Sequence, residues 1–113
     1  MVDIFKALAE ESRLRILALL MNNEMCVCEI EECLKMTQSN VSRHLTALKI
    51  SGILDSYKQA QWVYYKISDA FKDENQSLWI YLTEKLKELP CYNTDFDEYQ
   101  KCKQKDLCNM KKM

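Results

Sequence analysis

The chain has little that makes tight backbone turns: one glycine and one proline among 113 residues. A glycine-rich loop cradling phosphates is therefore excluded, and with it the nucleotide enzymes that depend on one. It has one histidine, His44, so no set of imidazoles can build a zinc site and no nucleophile–base pair is visible. We expect no enzyme. No apolar run approaches the ~18–20 residues of a membrane span, and no N-terminal apolar stretch with a cleavage site is present. The expectation is a cytoplasmic protein that engages no membrane.

What is abundant is charge unevenly spread, and sulfur. The formal net charge is −1, but residues 1–34 carry three basic and seven acidic side chains, residues 35–67 five and one, and residues 68–113 eight and nine. A middle third of net +4 can face a phosphate backbone even though the average is near zero. Six cysteines in a reducing compartment point to metal ligands or redox groups rather than structural disulfides.

Apolar periodicity organises the rest. Ile4, Phe5, Leu8 and Ala9 mark one helical face. After Ser12 as N-cap, Leu14, Ile16, Leu17, Leu19 and Leu20 mark a second helix that belongs to the core. A short helix is predicted from about Val27 to Lys35, a break at Met36-Thr37, and a further helix from Gln38 to about Ile50 with Val41, Leu45 and Leu48 inward. The lone glycine, Gly52, follows as a helix C-terminal signal. Ile53–Lys58 and Trp62–Ile67 are rich in β-branched and aromatic residues and are joined by Gln59-Ala60-Gln61, which predicts a hairpin. Asn75–Leu89 returns to helical spacing until Pro90, and Thr94-Asp95-Phe96-Asp97 offers a cap for one more short helix. The expected fold is mainly α with a β-hairpin wing, in the order α-α-α-α-β-β-α plus a C-terminal tail. Residues 1–90 are expected to form one domain, whose DNA-binding and dimerisation roles are argued below, and residues 91–113 a cysteine-containing tail.

Two short helices across a tight break, followed by a basic hairpin, are the elements of a winged helix-turn-helix. The second helix presents Gln38, Ser39, Asn40 and Arg43. Amides read adenine and arginine pairs bidentately with guanine, while Ser42 and His44 are expected on the phosphate backbone. Lys58, Gln61 and Lys66 on the hairpin would add positioning contacts.

The string Thr37-Gln38-Ser39-Asn40-Val41-Ser42-Arg43-His44-Leu45, with Leu48 and Ser51-Gly52-Ile53-Leu54, closely resembles the recognition helix and following turn of the ArsR/SmtB family of metal-responsive repressors. Leu8-Ala9-Glu10-Glu11-Ser12-Arg13-Leu14-Arg15-Ile16-Leu17 and Trp62-Val63-Tyr64-Tyr65-Lys66-Ile67 extend the resemblance over roughly residues 3 to 89. Ala60 departs from it, standing in the wing turn where the family often has glycine. Glu24-Met25-Cys26-Val27-Cys28-Glu29-Ile30 resembles a segment of the family's arsenic-responsive branch and of its cadmium/lead-responsive branch.

That likeness implies a repressor that leaves its operator when Cys26 and Cys28 bind trivalent arsenic or antimony. A helix N-terminus lowers thiol pKa, and soft ions prefer sulfur. In the arsenic sensors a third cysteine stands three positions after the second, which here is Glu31. Cys33 lies two turns from Cys26, about 10.5 Å along a regular helix, and is read as a packing residue. Cys102 or Cys108 is then expected to complete the site, within a subunit or across a dimer, unless the tail thiols Cys91, Cys102 and Cys108 bind an ion by themselves. No cofactor is expected beyond that inducer, arsenite or antimonite. Two alternatives stay open: a thiol redox switch, and a sensor of a soft divalent ion such as cadmium or lead. The second is disfavoured because no cysteine precedes Cys26, and a zinc site on the last dimer helix by the lack of imidazole there. The apolar faces of residues 75–89 and of the N-terminal helix predict a homodimer, hence double-stranded operator DNA with an inverted repeat.

Overall fold

The fold was analysed in a computed structural model that describes residues 2–105, with side chains through Lys101. The elements run α1 (Val2–Leu8), α2 (Glu11–Leu20), β1 (Met25–Cys26), α3 (Val27–Leu34), α4 (Gln38–Ile50), β2 (Leu54–Gln59), β3 (Trp62–Ile67), α5 (Asp69–Glu74), α6 (Gln76–Lys85), a 3-10 turn at Leu86–Glu88, and α7 (Tyr92–Lys105). This is the winged helix-turn-helix arrangement, with β1, α5 and α7 added to the expected order. Among the described residues no helix is long and apolar enough to cross a membrane.

The core follows the predicted periodicity. Ile16, Leu17, Ile30, Val41, Leu45, Leu48 and Ile53 are all fully buried, so α2, α3 and α4 converge on one apolar centre whose burial drives folding. Thr37 caps α4 by accepting a hydrogen bond from the Asn40 amide. Gly52 sits at φ +88° with open space where a side chain would project, so conformation rather than crowding requires glycine there.

Ser12 is not the cap of α2. Glu10 holds that position with extended backbone, and its carboxylate binds Arg13 instead of the helix amides. The expected single helix over 75–89 is divided: α5 precedes it, capped by the Ser68 hydroxyl accepting from Phe71 N, and a 3-10 turn ends it. The strand β1 is only two residues long and pairs with the wing, Met25 opposite Tyr65 and Cys26 opposite Tyr64, giving a sheet of order β1-β3-β2.

Helix α7 packs on α2 and α3. Its Asp95 is buried and takes both arms of Arg15, Nε to Oδ2 and Nη2 to Oδ1 at 2.9 Å each. Arg15 also reaches the Leu34 carbonyl at 3.4 Å, at the end of α3. Asp95 holds the guanidinium in its charged form, raising the Arg15 pKa against the opposing effect of burial. Tyr99 is buried one turn further along, and the rings of Tyr92, Phe96 and Tyr99 follow one another at about 6 Å spacing.

Candidate nucleic-acid interface and thiol pocket

Gln38, Ser39, Asn40 and Arg43 stand exposed along the first two turns of α4, and Ser42 is half-buried beside them. A short helix end carrying unshielded amide, hydroxyl and guanidinium groups suits base edges and phosphates. Lys58 and Gln61 are exposed on the wing, whereas Lys66 is half-buried. The wing turn is closed by Ala60 at φ +58°, a left-handed conformation that costs a non-glycine residue about 1 kcal/mol.

His44 corrects the expectation of a phosphate contact. It is 1% exposed, on the inward side of α4, because its neighbour Leu45 and its i−3 residue Val41 face the core. Burial lowers its pKa, and Arg43 and Arg13 add to that effect while Glu10 opposes it.

Cys26 and Cys28 are brought together at the junction of β1 and α3, with their sulfurs 2.8 Å apart. Cys26 is the N-cap residue of α3 and takes part in a capping box with Glu29. The Glu29 carboxylate accepts from the Cys26 amide at 2.9 Å, the reciprocal bond usually made around a serine or threonine cap. Cys28 lies in the first turn, where amide groups and the helix dipole favour a thiolate. Cys26 is buried and held in a disulfide in this structure; Cys28, Cys33 and Cys91 are thiols.

A cavity of about 270 Å³ opens on this pair, lined by Cys26, Val27, Cys28, Glu31, Gln38, Trp62 and Val63. It therefore touches the cysteine turn, the first residue of the reading helix and the first residues of β3 at once. Sequence reasoning did not find the wing residues of this pocket, since Trp62 and Val63 are distant in the chain and read simply as strand. The Trp62 indole nitrogen is buried without a hydrogen-bond partner among the described residues.

Two sulfurs bound to one ion by bonds near ~2.3 Å must lie within about 4.6 Å of each other, and this pair does, although Cys26 must first be reduced to its thiolate to serve as a ligand. Among the described residues no three Cys, His, Asp or Glu side chains are grouped to hold a metal ion. Cys33 is buried against α7, its sulfur 3.9 Å from the Glu98 carbonyl, in the packing position expected of it. Cys91 is half-buried 4.0 Å from a Glu11 oxygen, and its pKa is raised, first by burial. Cys102 falls within α7, but its side chain lies outside the described residues, as does Cys108 altogether.

The fold and the exposed helix together are those of the winged helix-turn-helix class found in DNA-binding transcriptional regulators. The family described as "Bacterial regulatory protein, arsR family" matches residues 10–56, from the start of α2 into β2. The chain belongs to this family of regulators, which are not enzymes. It is 44% identical over 68 residues to the arsenical resistance operon repressor of Escherichia coli K12, a match covering 59% of this chain and 58% of that protein. The chain thus spans little more than half of that relative. Among solved structures, HlyU from Vibrio cholerae is 37% identical, with a TM-score of 0.63 over 80% of this chain and 90% of that one. A homodimeric winged helix-turn-helix DNA-binding domain from Mycobacterium bovis is 28% identical, with a TM-score of 0.63 over 79% and 83%.

Proposed function

We propose that the chain is a homodimeric repressor that binds an inverted-repeat operator and is released when Cys26 and Cys28 capture trivalent arsenic or antimony. The observation that carries this reading is the shared pocket: two sulfurs in contact, with Gln38 of the reading helix and Trp62 of the wing in its wall. An ion bridging the sulfurs displaces the first turn of α3 relative to α4. The residues that read DNA are Gln38, Ser39, Asn40, Ser42 and Arg43, and Lys58 and Gln61 hold the wing on the backbone. The likeness to an arsenical resistance repressor supports arsenite as the inducer. The exposed apolar residues Val2, Phe5, Ile80 and Tyr81 on α1 and α6 support a dimer face, as does the homodimeric neighbour. Cys102 or Cys108 supplies the third sulfur.

The test is arsenite titration into the complex of reduced protein with DNA. The parent is expected to leave DNA, while Cys26→Ser and Cys28→Ser variants bind DNA and ignore arsenite. Serine keeps the capping role of residue 26, so folding survives the exchange. Release of the double variant as readily as the parent would refute the pocket. A second reading, a thiol redox switch, is favoured by one observation, the disulfide at Cys26. It predicts release by peroxide and none by arsenite under reducing conditions.

A further inference from the structure

The buried histidine of the reading helix has no place in the pocket, yet it is the centre of a closed polar ring. Arg13 Nε donates to His44 Nδ1 at 3.2 Å. His44 Nε2 faces Glu10 Oε1 at 3.4 Å, and the other Glu10 oxygen accepts from Arg13 Nη2 at 3.3 Å. The remaining arm of Arg13, Nη1, reaches the Lys6 and Ala7 carbonyls at 3.3 and 3.4 Å. These carbonyls lie in the last turn of α1, and the Lys6 carbonyl also accepts from the Ala9 amide at 3.3 Å. One imidazole thus ties α4 to the start of α2 and, through Arg13, to the end of α1.

Only one protonation state closes the ring. A guanidinium donates and never accepts, so Nδ1 must be bare and Nε2 must carry the hydrogen, which it gives to Glu10. A proton on Nδ1 sets N–H against N–H and breaks the bond from Arg13. The charged groups facing the ring are Glu10 and Arg13 from α2 and, on α4 itself, Arg43, whose Nη2 lies 3.4 Å from Nε2, a contact that is not a hydrogen bond when Nε2 carries the hydrogen; α1 contributes the two carbonyls. Burial and the two arginines act against the imidazolium, and Glu10 alone favours it.

We propose that neutral His44 is a positioning residue for DNA reading: it fixes α4 on the α1–α2 junction, and protonating it weakens operator binding. This rests on the operator-binding reading above, but its sign is its own. An imidazole that touched phosphate would bind DNA more tightly in acid; one that positions α4 from within binds it less tightly. His44 is the only histidine in the chain, so it is the one side chain with an ordinary pKa between pH 5 and 8 apart from perturbed thiols.

The experiment uses the full chain, reduced, and a duplex that this protein selects from a random DNA pool at pH 7.5. Failure to select any duplex counts against operator binding itself. With a duplex in hand, affinity is measured at constant salt from pH 7.5 to 5. The parent is expected to lose about tenfold or more, while His44→Gln, whose amide can accept from Arg13 and donate to Glu10, stays within about threefold of the parent at pH 7.5 and holds a flat profile. Affinity that rises in acid, or the same profile in both proteins, overturns the proposal. Nitrogen NMR of the single imidazole in the parent needs no variant. It should show Nδ1 bare at pH 7.5 and a titration below the ordinary value of about 6.5; a bare Nε2, or titration at or above that value, overturns it equally.

Discussion

Replacing Asp95 by alanine removes the carboxylate that receives both arms of Arg15 and leaves the guanidinium facing a gap between α2, α3 and α7. Breaking a fully buried ion pair from one side costs about 3–5 kcal/mol, most of it the charge left behind. Here Asp95 is 6% exposed but the Arg15 side chain 24%, so water reaches the orphaned guanidinium and the cost falls to about 2–3 kcal/mol. Small domains have about 5–15 kcal/mol in total, which makes this a large fraction. With a urea slope of about 1.5–2 kcal/mol/M, the unfolding midpoint should drop by about 1–2 M, read by circular dichroism. Arg15→Met should cost at least as much, because the carboxylate it orphans is the more deeply buried partner, and the double variant should be more stable than the two single losses added together. A midpoint within 0.3 M of the parent, or strict additivity in the cycle, would refute the view that this pair docks α7.

Arg43→Ala and Gln38→Ala should each weaken binding to selected DNA, Gln38 by about 1–3 kcal/mol if its contact is bidentate, whereas Lys58→Ala should weaken all sequences alike and lower the salt slope by about one; unchanged binding in the first two would remove α4 from the groove. Ala60→Gly relieves the positive φ of the wing turn and should raise stability by about 0.5–1 kcal/mol in thermal unfolding, a result that an unchanged or lower melting temperature would reject. Cys33→Ser buries a hydroxyl in the core and should lower stability by about 1–3 kcal/mol while leaving arsenite response intact, so loss of response in a folded variant would place Cys33 at the ion. Because the folded pKa of His44 is depressed, the unfolded chain takes up a proton first as pH falls through about 6.5. Stability should therefore be constant above about pH 7 and decline below 6.5, measured as urea midpoints, and His44→Gln should remove that part of the decline.

The helix-turn-helix was legible because its signals are local. Val41, Leu45 and Leu48 repeat at helical spacing, Thr37 caps, Gly52 stops, and α4 runs over the predicted residues. The cysteine turn was legible for the same reason, since a capping position and the first helical turn are three residues wide. What the sequence hid is held by pairs far apart in the chain. Arg15 meets Asp95 across 80 positions and Arg13 meets His44 across 31, and no periodicity marks either. Ser12 looked like a cap because serine usually is one, but Glu10 was extended and already engaged by Arg13. His44 looked like a surface residue because it follows the polar run of Ser42 and Arg43; the helix turns it inward with Val41 and Leu45.

The coupling between thiols and DNA can be argued from the connection between α3 and α4, which is only three residues long. Lys35 ends α3 in the left-handed conformation at φ 56°, Met36 follows, and Thr37 already caps α4. Such a joint has little slack, so a change in the pitch or tilt of the α3 first turn is passed to α4 instead of being absorbed. The other end of the same turn is fastened to the wing, since Cys26 pairs with Tyr64 in β3. In the proposed mechanism, an ion drawing on Cys26 and Cys28 would therefore act on both α4 and the wing through backbone that is already hydrogen-bonded. The free-energy demand is modest: a coupling of about 1–3 kcal/mol changes affinity by about 5–150-fold. Losing the alignment of one or two base contacts on α4, each worth about 1–3 kcal/mol, supplies that amount without unfolding any helix.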